Sequence, residues 1–271
     1  PSGSISLDLY KVKDELLTKL KSAVEAEPQF ETRRNDAPHS GRSAASRSPD
    51  AAKRSPASFR PRRRDPSARP TTADNTMQFE QIVAIGTSTG GPRALQRVLA
   101  DLPPSFPAPV VIVQHMPPGF TRSLAQRLNM LSEITVVEAE DGIPLQSGVA
   151  YIAPGGRHME VVRRANGSYR IALNEEEPVG GHRPSVERLF ASLRSLTELR
   201  QHIVLMTGMG ADGAQAMKQL RDQGATTIAE AEETCIVYGM PRNAVQIGAA
   251  QYILPLYRIG SRLVQLAESA R

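Results

Sequence analysis

Residues 81–92, Gln-Ile-Val-Ala-Ile-Gly-Thr-Ser-Thr-Gly-Gly-Pro, decide the fold class of this chain. The run to Ile85 is apolar and of strand length, and the stretch from Pro92 to Leu102 has helical spacing. The glycines between them favour a tight turn from strand to helix. A buried strand followed at once by a helix is the unit from which doubly wound α/β sheets are built.

The same alternation continues to the end of the chain. Further strands are predicted at 109–114, 134–137, 202–206, 226–229 and 251–254, with helices at 121–131, 184–196, 213–223, 241–247 and 259–267. We expect Pro184 in the first turn of its helix. Three runs between residues 149 and 173, separated by turn signals, indicate antiparallel structure. We therefore predict an α/β fold, a doubly wound and mainly parallel sheet with helices on both faces and an added antiparallel hairpin.

Composition excludes several classes of protein. The 271 residues contain no apolar run of 18, so no helix is expected to span a membrane. The first residues resemble no secretory signal and lack an initiator Met, so we expect a piece of a longer chain. One cysteine, Cys235, excludes a disulfide framework and favours a cytoplasmic location, and we expect its side chain to be buried. No cluster has metal-ligand spacing, so neither a metal nor a cofactor is expected.

The net positive charge is confined to one segment. Residues 31–70 hold eleven Lys or Arg and four Asp or Glu. Because this segment carries +7 and the whole chain +5, the other 231 residues carry −2, and nucleic-acid binding is not expected. Six prolines and a single large apolar residue, Phe59, cannot form a core. We predict residues 28–77 to be a disordered linker rich in Pro, Ser and Arg; phosphate or lipid contacts at 60–64 are the alternative.

The chain begins with a short amphipathic segment. One helical face would carry Val12, Leu16, Leu17, Leu20 and Val24. A single helix of this length needs a partner surface. We therefore predict that residues 1–27 end an upstream domain, with docking on the main domain, residues 78–271, as the alternative.

Ser88 is the first candidate for chemistry. The pattern Gly86-x-Ser88-x-Gly90 after a strand fits a nucleophile elbow, whose turn lifts the hydroxyl above the sheet. The helix that follows begins with free backbone N–H groups and a positive dipole end, which suit an oxyanion. A loop without chemistry, or an anion site, is the alternative.

His115 and Asp212 follow two other predicted strands. The carboxyl ends of parallel strands meet at one edge of a sheet, so a histidine there can act as the base for Ser88 and an aspartate can orient it. The alternatives are a packed histidine and an aspartate that caps its own helix. The chain order is not that of the α/β-hydrolases, which would need a pair such as Asp141 and His182, and neither closes a clear strand.

A dinucleotide fingerprint competes for the same loop. The pattern Gly208-x-Gly210-x-x-Gly213 follows a strand, with Glu230 and Glu232 about 20 residues further on. This pattern normally follows the first strand of a domain, and Asp212 would repel a pyrophosphate, so we disfavour it. Of the other histidines, we expect His158 and His202 to be structural or exposed, and we expect His182 to border a cleft without a catalytic role.

Five stretches of this sequence resemble the chemotaxis protein-glutamate methylesterases, the CheB family. They are Ile85–Pro92, Gln114–Thr121, Arg183–Val186, Thr207–Gly213 and Val237–Pro241. They occur in the family's order and cover about residues 79–266. The family often has Ala in place of Thr87, and Ser or Asn in place of Ala211. The difference at Ala211 can alter a hydrogen bond beside Asp212.

The resemblance implies roles for individual residues. Ser88 would be the nucleophile, His115 the base and Asp212 the orienting acid, and the backbone N–H groups of Thr89 and Met209 would line the oxyanion hole. The implied enzyme is a serine-type carboxylic ester hydrolase. It would hydrolyse glutamate γ-methyl esters on methyl-accepting chemotaxis receptors, and deamidate glutamines, through an acyl-enzyme.

The resemblance also implies partners. These are the cytoplasmic helical bundle of the receptors and a receiver domain of two-component signalling, of which residues 1–27 would be the end. We expect a monomer without membrane insertion. A module of the same fold that binds receptors or another partner without catalysis is the alternative function.

Overall fold

A computed structural model of the protein describes residues 79–269. The segments predicted at 1–27 and 28–77 lie outside these residues. The strands are β1 Gln81–Thr87, β2 Val110–Gln114, β3 Thr135–Glu138, β4 Val149–Ile152, β5 His158–Arg163, β6 Tyr169–Asn174, β7 Arg200–Leu205, β8 Thr226–Glu230 and β9 Tyr252–Leu254. The helices are α1 Gly91–Ala100, α2 Phe120–Leu131, α3 Val186–Leu193, α4 Ala214–Asp222, α5 Met240–Gln246 and α6 Leu256–Glu268. Within the described part of the chain, no helix is long and apolar enough to cross a bilayer.

Seven strands form one parallel sheet in the order β3-β4-β2-β1-β7-β8-β9, and β5 pairs with β6 in a separate antiparallel hairpin. Alternate residues of β1 face opposite sides. Ile82 and Ala84 lie in the core beneath α3, α4, α5 and the hairpin, whereas Val83 and Ile85 lie in the core beneath α1, α2 and α6. Helices on both faces explain why the strands are continuous apolar runs. The predicted doubly wound α/β fold is confirmed.

The strand at residues 149–152 corrects one expectation. We predicted antiparallel structure from residue 149 onward, but β4 is a parallel strand between β3 and β2, with Val110 opposite Ala150. All four of its residues are buried, as is typical of an interior parallel strand. The turn signals that follow it belong only to the hairpin, where His158 pairs with Asn174.

The start of α3 corrects a second expectation. Pro184 does not lie in the first helical turn, because the helix begins at Val186. Ser185 is the N-cap, with extended backbone dihedrals, and its hydroxyl accepts from the backbone N–H of Arg188. A serine in this position satisfies one of the unpaired N–H groups of the helix start, so the capping residue sets where the helix begins.

Candidate active site

The parallel register brings the first two candidate loops together. Thr87 at the end of β1 lies opposite Gln114 at the end of β2, so the next residues, Ser88 and His115, are neighbours across the sheet edge. The backbone N–H of His115 donates to the Thr87 carbonyl at 3.1 Å. The side-chain amide of Gln114 donates to the backbone carbonyls of Ser88 and His115, each at 3.0 Å. The two loops are therefore held together by backbone pairing and by the Gln114 side chain.

The third loop comes from β7, on the other side of β1. Gly86 lies opposite Leu205 in that register, and the Ser88 N–H donates to the Thr207 carbonyl at 2.9 Å. A Cβ built on Gly208 would lie 2.7 Å from the Cβ of Ser88. Only glycine allows this approach, so the backbone of the loop that carries Asp212 packs directly against Ser88.

His115 and Asp212 meet at this edge. His115 Nε2 lies 2.8 Å from Asp212 Oδ2, and both side chains are less than a tenth exposed. Burial by itself raises the pKa of Asp212, but hydrogen bonds from His115, Val186 and Glu187 outweigh it and lower that pKa below its ordinary value. Asp212 is therefore a carboxylate near neutral pH and can only accept. Since it can only accept, Nε2 of His115 carries the proton in their hydrogen bond.

Asp212 also caps a helix, but not the helix that follows it. Its Oδ2 accepts from the N–H of Val186 at 2.7 Å, and its Oδ1 accepts from the N–H of Glu187 at 3.0 Å. The Ser185 hydroxyl donates to Oδ1 at 2.9 Å. The N-cap of the following helix, α4, is Gly213, without a side-chain cap. The alternative of Asp212 capping its own helix is therefore wrong. Three donors at the start of α3, together with His115, hold the carboxylate.

The other nitrogen of His115 remains open. Within residues 79–269, Nδ1 is buried without a hydrogen-bond partner, and the Ser88 hydroxyl makes no hydrogen bond either. Ser88 is half-buried, and it follows the strand next to the one that His115 follows. A serine hydroxyl rotates among staggered positions about χ1. Bonds of this kind are often long in unliganded enzymes and tighten around substrate.

Two backbone N–H groups point to an oxyanion site at the same edge. The N–H groups of Thr89 and Met209 donate to no other group in the described part of the chain. Thr89 precedes α1, whose first turn contains no acidic residue. The Thr207 hydroxyl donates to the Thr89 carbonyl at 2.8 Å, which ties the two loops together. Positive dipole ends and unpaired N–H groups stabilise a developing negative charge.

The sequence reasoning missed two contacts. Ser185 donates to Asp212, and the ring of His182 stacks on that of His115 with centroids 3.9 Å apart and an interplanar angle of 9°. We expected His182 to border a cleft, and we did not predict that its ring stacks on the candidate base. Ser185 lies in Arg183–Val186, one of the five stretches that resemble the family, whereas His182 lies just before it.

The remaining candidates have structural contacts. His158 is fully buried between the Glu177 carbonyl and the Ser185 N–H, and His202 is buried against Gln81.

Glu230 is buried and accepts from the Thr207 N–H at 2.9 Å, so it supports the loop rather than facing a ribose. Cys235 was expected to be buried but is only half-buried. No group of three potential metal ligands occurs between residues 79 and 269.

A serine, a histidine and an aspartate on three loops at the carboxyl edge of a doubly wound sheet is an arrangement typical of the serine hydrolases. Comparison with known proteins is more specific. The family model described as CheB methylesterase matches residues 83–263. We therefore identify the chain as a member of the CheB methylesterase family and a hydrolase.

Individual relatives agree with this membership. A Geobacillus kaustophilus protein named protein-glutamate methylesterase/protein-glutamine glutaminase is 48% identical over 267 residues, which cover 98% of this chain and 68% of that protein. A Pseudomonas aeruginosa protein of the same name, numbered 2, is 47% identical over 211 residues, covering 78% of this chain and 60% of that protein. The crystal structure of the Thermotoga maritima CheB methylesterase catalytic domain has a TM-score of 0.66 and 44% identity, covering 69% of this chain and 98% of that domain.

Proposed function

We propose that this protein is a protein-glutamate methylesterase that hydrolyses glutamate γ-methyl esters on methyl-accepting chemotaxis receptors. The names of its relatives support this substrate. The same names support a second activity, deamidation of receptor glutamines, because an ester and a primary amide of the same side chain present the same acyl group. The receptor's cytoplasmic helical bundle would be the partner, and the cytoplasm the location.

The reaction begins at Ser88. Its hydroxyl attacks the γ-carbonyl carbon while His115 Nδ1 takes the hydroxyl proton. The resulting imidazolium is stabilised by Asp212, which holds Nε2–H throughout. When the tetrahedral intermediate collapses, the C–O bond to the methoxy group breaks, and His115 returns the proton so that methanol leaves.

The second half of the reaction releases the receptor. Water attacks the acyl carbon and gives a proton to His115 Nδ1, and the Ser88 oxygen then leaves with that proton. The product is a free glutamate carboxyl group. For a glutamine substrate the leaving group of the first half is ammonia, and the second half is the same.

The negative oxygen of both intermediates would bind the N–H groups of Thr89 and Met209. This assignment is supported because neither N–H group donates elsewhere within the described residues. The neighbouring N–H groups of Ser88 and Gly208 donate to the carbonyls of Thr207 and Val237. Removing one such donor typically costs about 2.7–4 kcal/mol of barrier. The interaction is made mainly in the transition state, so it raises kcat.

One observation carries this proposal, namely the 2.8 Å hydrogen bond from His115 to a carboxylate that is itself fixed by α3, with the opposite imidazole nitrogen left without a partner among the described residues. Both nitrogens of the buried His158 are hydrogen-bonded, and the buried His202 also has an open Nδ1 within this part of the chain, so the bond to a fixed carboxylate is what distinguishes His115.

The test is methanol release from methylated receptor by the wild-type chain and by Ser88→Ala. We expect release by the first and none above background by the second, with the same melting temperature. The matched control is Ser195→Ala, which changes an exposed serine just beyond the C-terminal end of α3. This variant should release methanol normally. Equal release by Ser88→Ala and the wild type would contradict the proposal, and binding to receptor without release would favour the non-catalytic alternative.

A further inference from the structure

His182 covers one face of the His115 imidazole. The centroids lie 3.9 Å apart and the planes differ by 9°, so the rings are stacked over much of their area. His182 itself is half-buried, and it forms no side-chain hydrogen bond with another described residue. Among the described residues, the His182 side chain therefore interacts through its stacked contact with His115. The mechanism proposed above does not use this contact.

The backbone presents His182 rigidly. Val179 and His182 exchange two backbone hydrogen bonds, at 3.1 and 3.0 Å, around a two-residue turn. Both turn residues, Gly180 and Gly181, have positive φ angles, 58° and 82°. Such a turn favours glycine at both positions. The ring of His182 thus projects from a closed turn rather than from a loose connection.

The same segment also holds Asp212. Three residues after His182, Ser185 begins the series of donors that binds both carboxylate oxygens. One continuous stretch, residues 182–187, therefore contacts the candidate base on its ring face and the candidate acid on its oxygens. A displacement of this stretch would move both partners of the His115–Asp212 hydrogen bond together.

The two contacts restrain different motions of His115. The hydrogen bond to Asp212 fixes the direction of the Nε2–H bond but leaves the ring free to turn about that direction. A ring stacked on its face opposes this turning, because the planes must stay nearly parallel. Together the two contacts hold the plane in which Nδ1 lies.

The charge state of His182 suits this task. Burial lowers the pKa of His182 below its ordinary value, and the neighbouring His115 lowers it further, while Asp212 acts in the opposite direction. His182 is therefore neutral near neutral pH. A neutral aromatic face also accommodates the imidazolium that His115 becomes after taking the proton.

We propose that His182 is a positioning residue, which by stacking on His115 holds the imidazole in the plane that directs Nδ1 to the Ser88 hydroxyl. This inference rests on the proposed function. A base misplaced by about 1 Å can cost on the order of 100-fold in rate. Substrate contacts are not involved, so the loss falls on kcat.

The experiment compares His182→Ala with His182→Phe in the same chain. We expect His182→Ala to lower kcat for methanol release by about 10- to 100-fold with KM unchanged. His182→Phe retains a flat ring without a titratable group, and should recover most of the lost kcat. Arg164→Ala, an exposed residue in the hairpin turn, is the control and should behave as the wild type.

A spectroscopic readout tests the same point without substrate. Because Asp212 still accepts from Nε2–H, the tautomer should be the same in all three chains. The NMR signals of the His115 ring should be single and sharp in the wild type and in His182→Phe, and broadened by exchange between ring orientations in His182→Ala. If wild type and Ser88→Ala release methanol equally, the proposed function fails, yet these spectra still decide the role of His182. Unchanged kcat and equally sharp His115 ring signals in a folded His182→Ala would overturn the inference, as would a His182→Phe variant as impaired as His182→Ala.

Discussion

His115 and Asp212 are separated by 97 residues in the chain, and their side chains meet at 2.8 Å. The two residues come from loops on opposite sides of β1, the strand that Ser88 directly follows. The central position of this strand is therefore what allows three distant residues to share one edge. The contact also depends on α3, because the N-terminus of that helix supplies two of the donors that hold Asp212 in place.

Asp212→Asn should leave the fold intact and remove turnover. The amide can donate to Nε2 and so favours the tautomer with the proton on Nδ1, where it cannot act as a base. Loss of the carboxylate in triads of this kind lowers kcat by about 10⁴. Steady-state methanol release measures this effect, and turnover near the wild-type rate would mean that Asp212 serves only α3.

Ser185→Ala should weaken the fold and the site together. The variant loses the hydrogen bond to Asp212 Oδ1 and the cap on the Arg188 N–H. We expect the free energy of unfolding to fall by about 1–3 kcal/mol, measured by urea denaturation, with a lower kcat. Ser195→Ala on the exposed surface should change neither quantity. A Ser185→Ala chain as stable as that control would contradict the assigned contacts.

Gly208→Ala tests the close approach of two loops. The added Cβ would lie 2.4 Å from Met240 Sδ and 2.7 Å from Ser88 Cβ. Both Met240 and Ser88, or the loop that carries residue 208, must therefore move. We expect a loss of about 1–3 kcal/mol of stability and about 100-fold in kcat. The comparison is Gly224→Ala, where φ is 99° and nothing lies within 4 Å. Backbone strain there costs about 1–2 kcal/mol, but kcat should be retained.

The buried histidines predict how stability depends on pH. Burial, with a smaller effect of Arg200, lowers the pKa of His202 from 6.5 to about 4. In the unfolded chain this residue takes up a proton near pH 6.5, so stability is full above that pH and falls as the pH drops toward 4. The loss amounts to about 3 kcal/mol. His158, whose pKa burial also lowers, adds in the same direction.

Urea denaturation at pH 7.5, 6 and 4.5 measures this slope. His202→Gln removes the contribution of this histidine and should unfold with a visibly flatter dependence on pH, although it is less stable at pH 7.5. A slope equal to that of the wild type would show that His202 does not stay neutral in the folded chain.

Much of the site was predictable from the sequence because its three side chains directly follow apolar strands. The ends of parallel strands meet at one edge whatever the details of packing, so Ser88, His115 and Asp212 could be assigned to that edge before the structure was known. The position of β4 could not be assigned in the same way. A short apolar run followed by turn residues is compatible with either orientation, and only its burial on both faces decides between them.

The contacts of His182 and Ser185 were beyond the sequence pattern for a different reason. Both residues precede α3, in a connection whose path depends on how the hairpin and the helix pack against the sheet. The local pattern at Pro184 indicated a helix start two residues early. Neither periodicity nor spacing contains the information that this connection passes over His115 and Asp212.

The most direct test of the account is to locate the covalent bond. The chain is treated with a serine-reactive fluorophosphonate, digested and examined by mass spectrometry, beside His115→Ala and Ser88→Ala. We predict one adduct, on Ser88, formed much more slowly in His115→Ala and absent in Ser88→Ala. An adduct on another residue, or methanol release that persists when Ser88 is removed, would contradict the central claim.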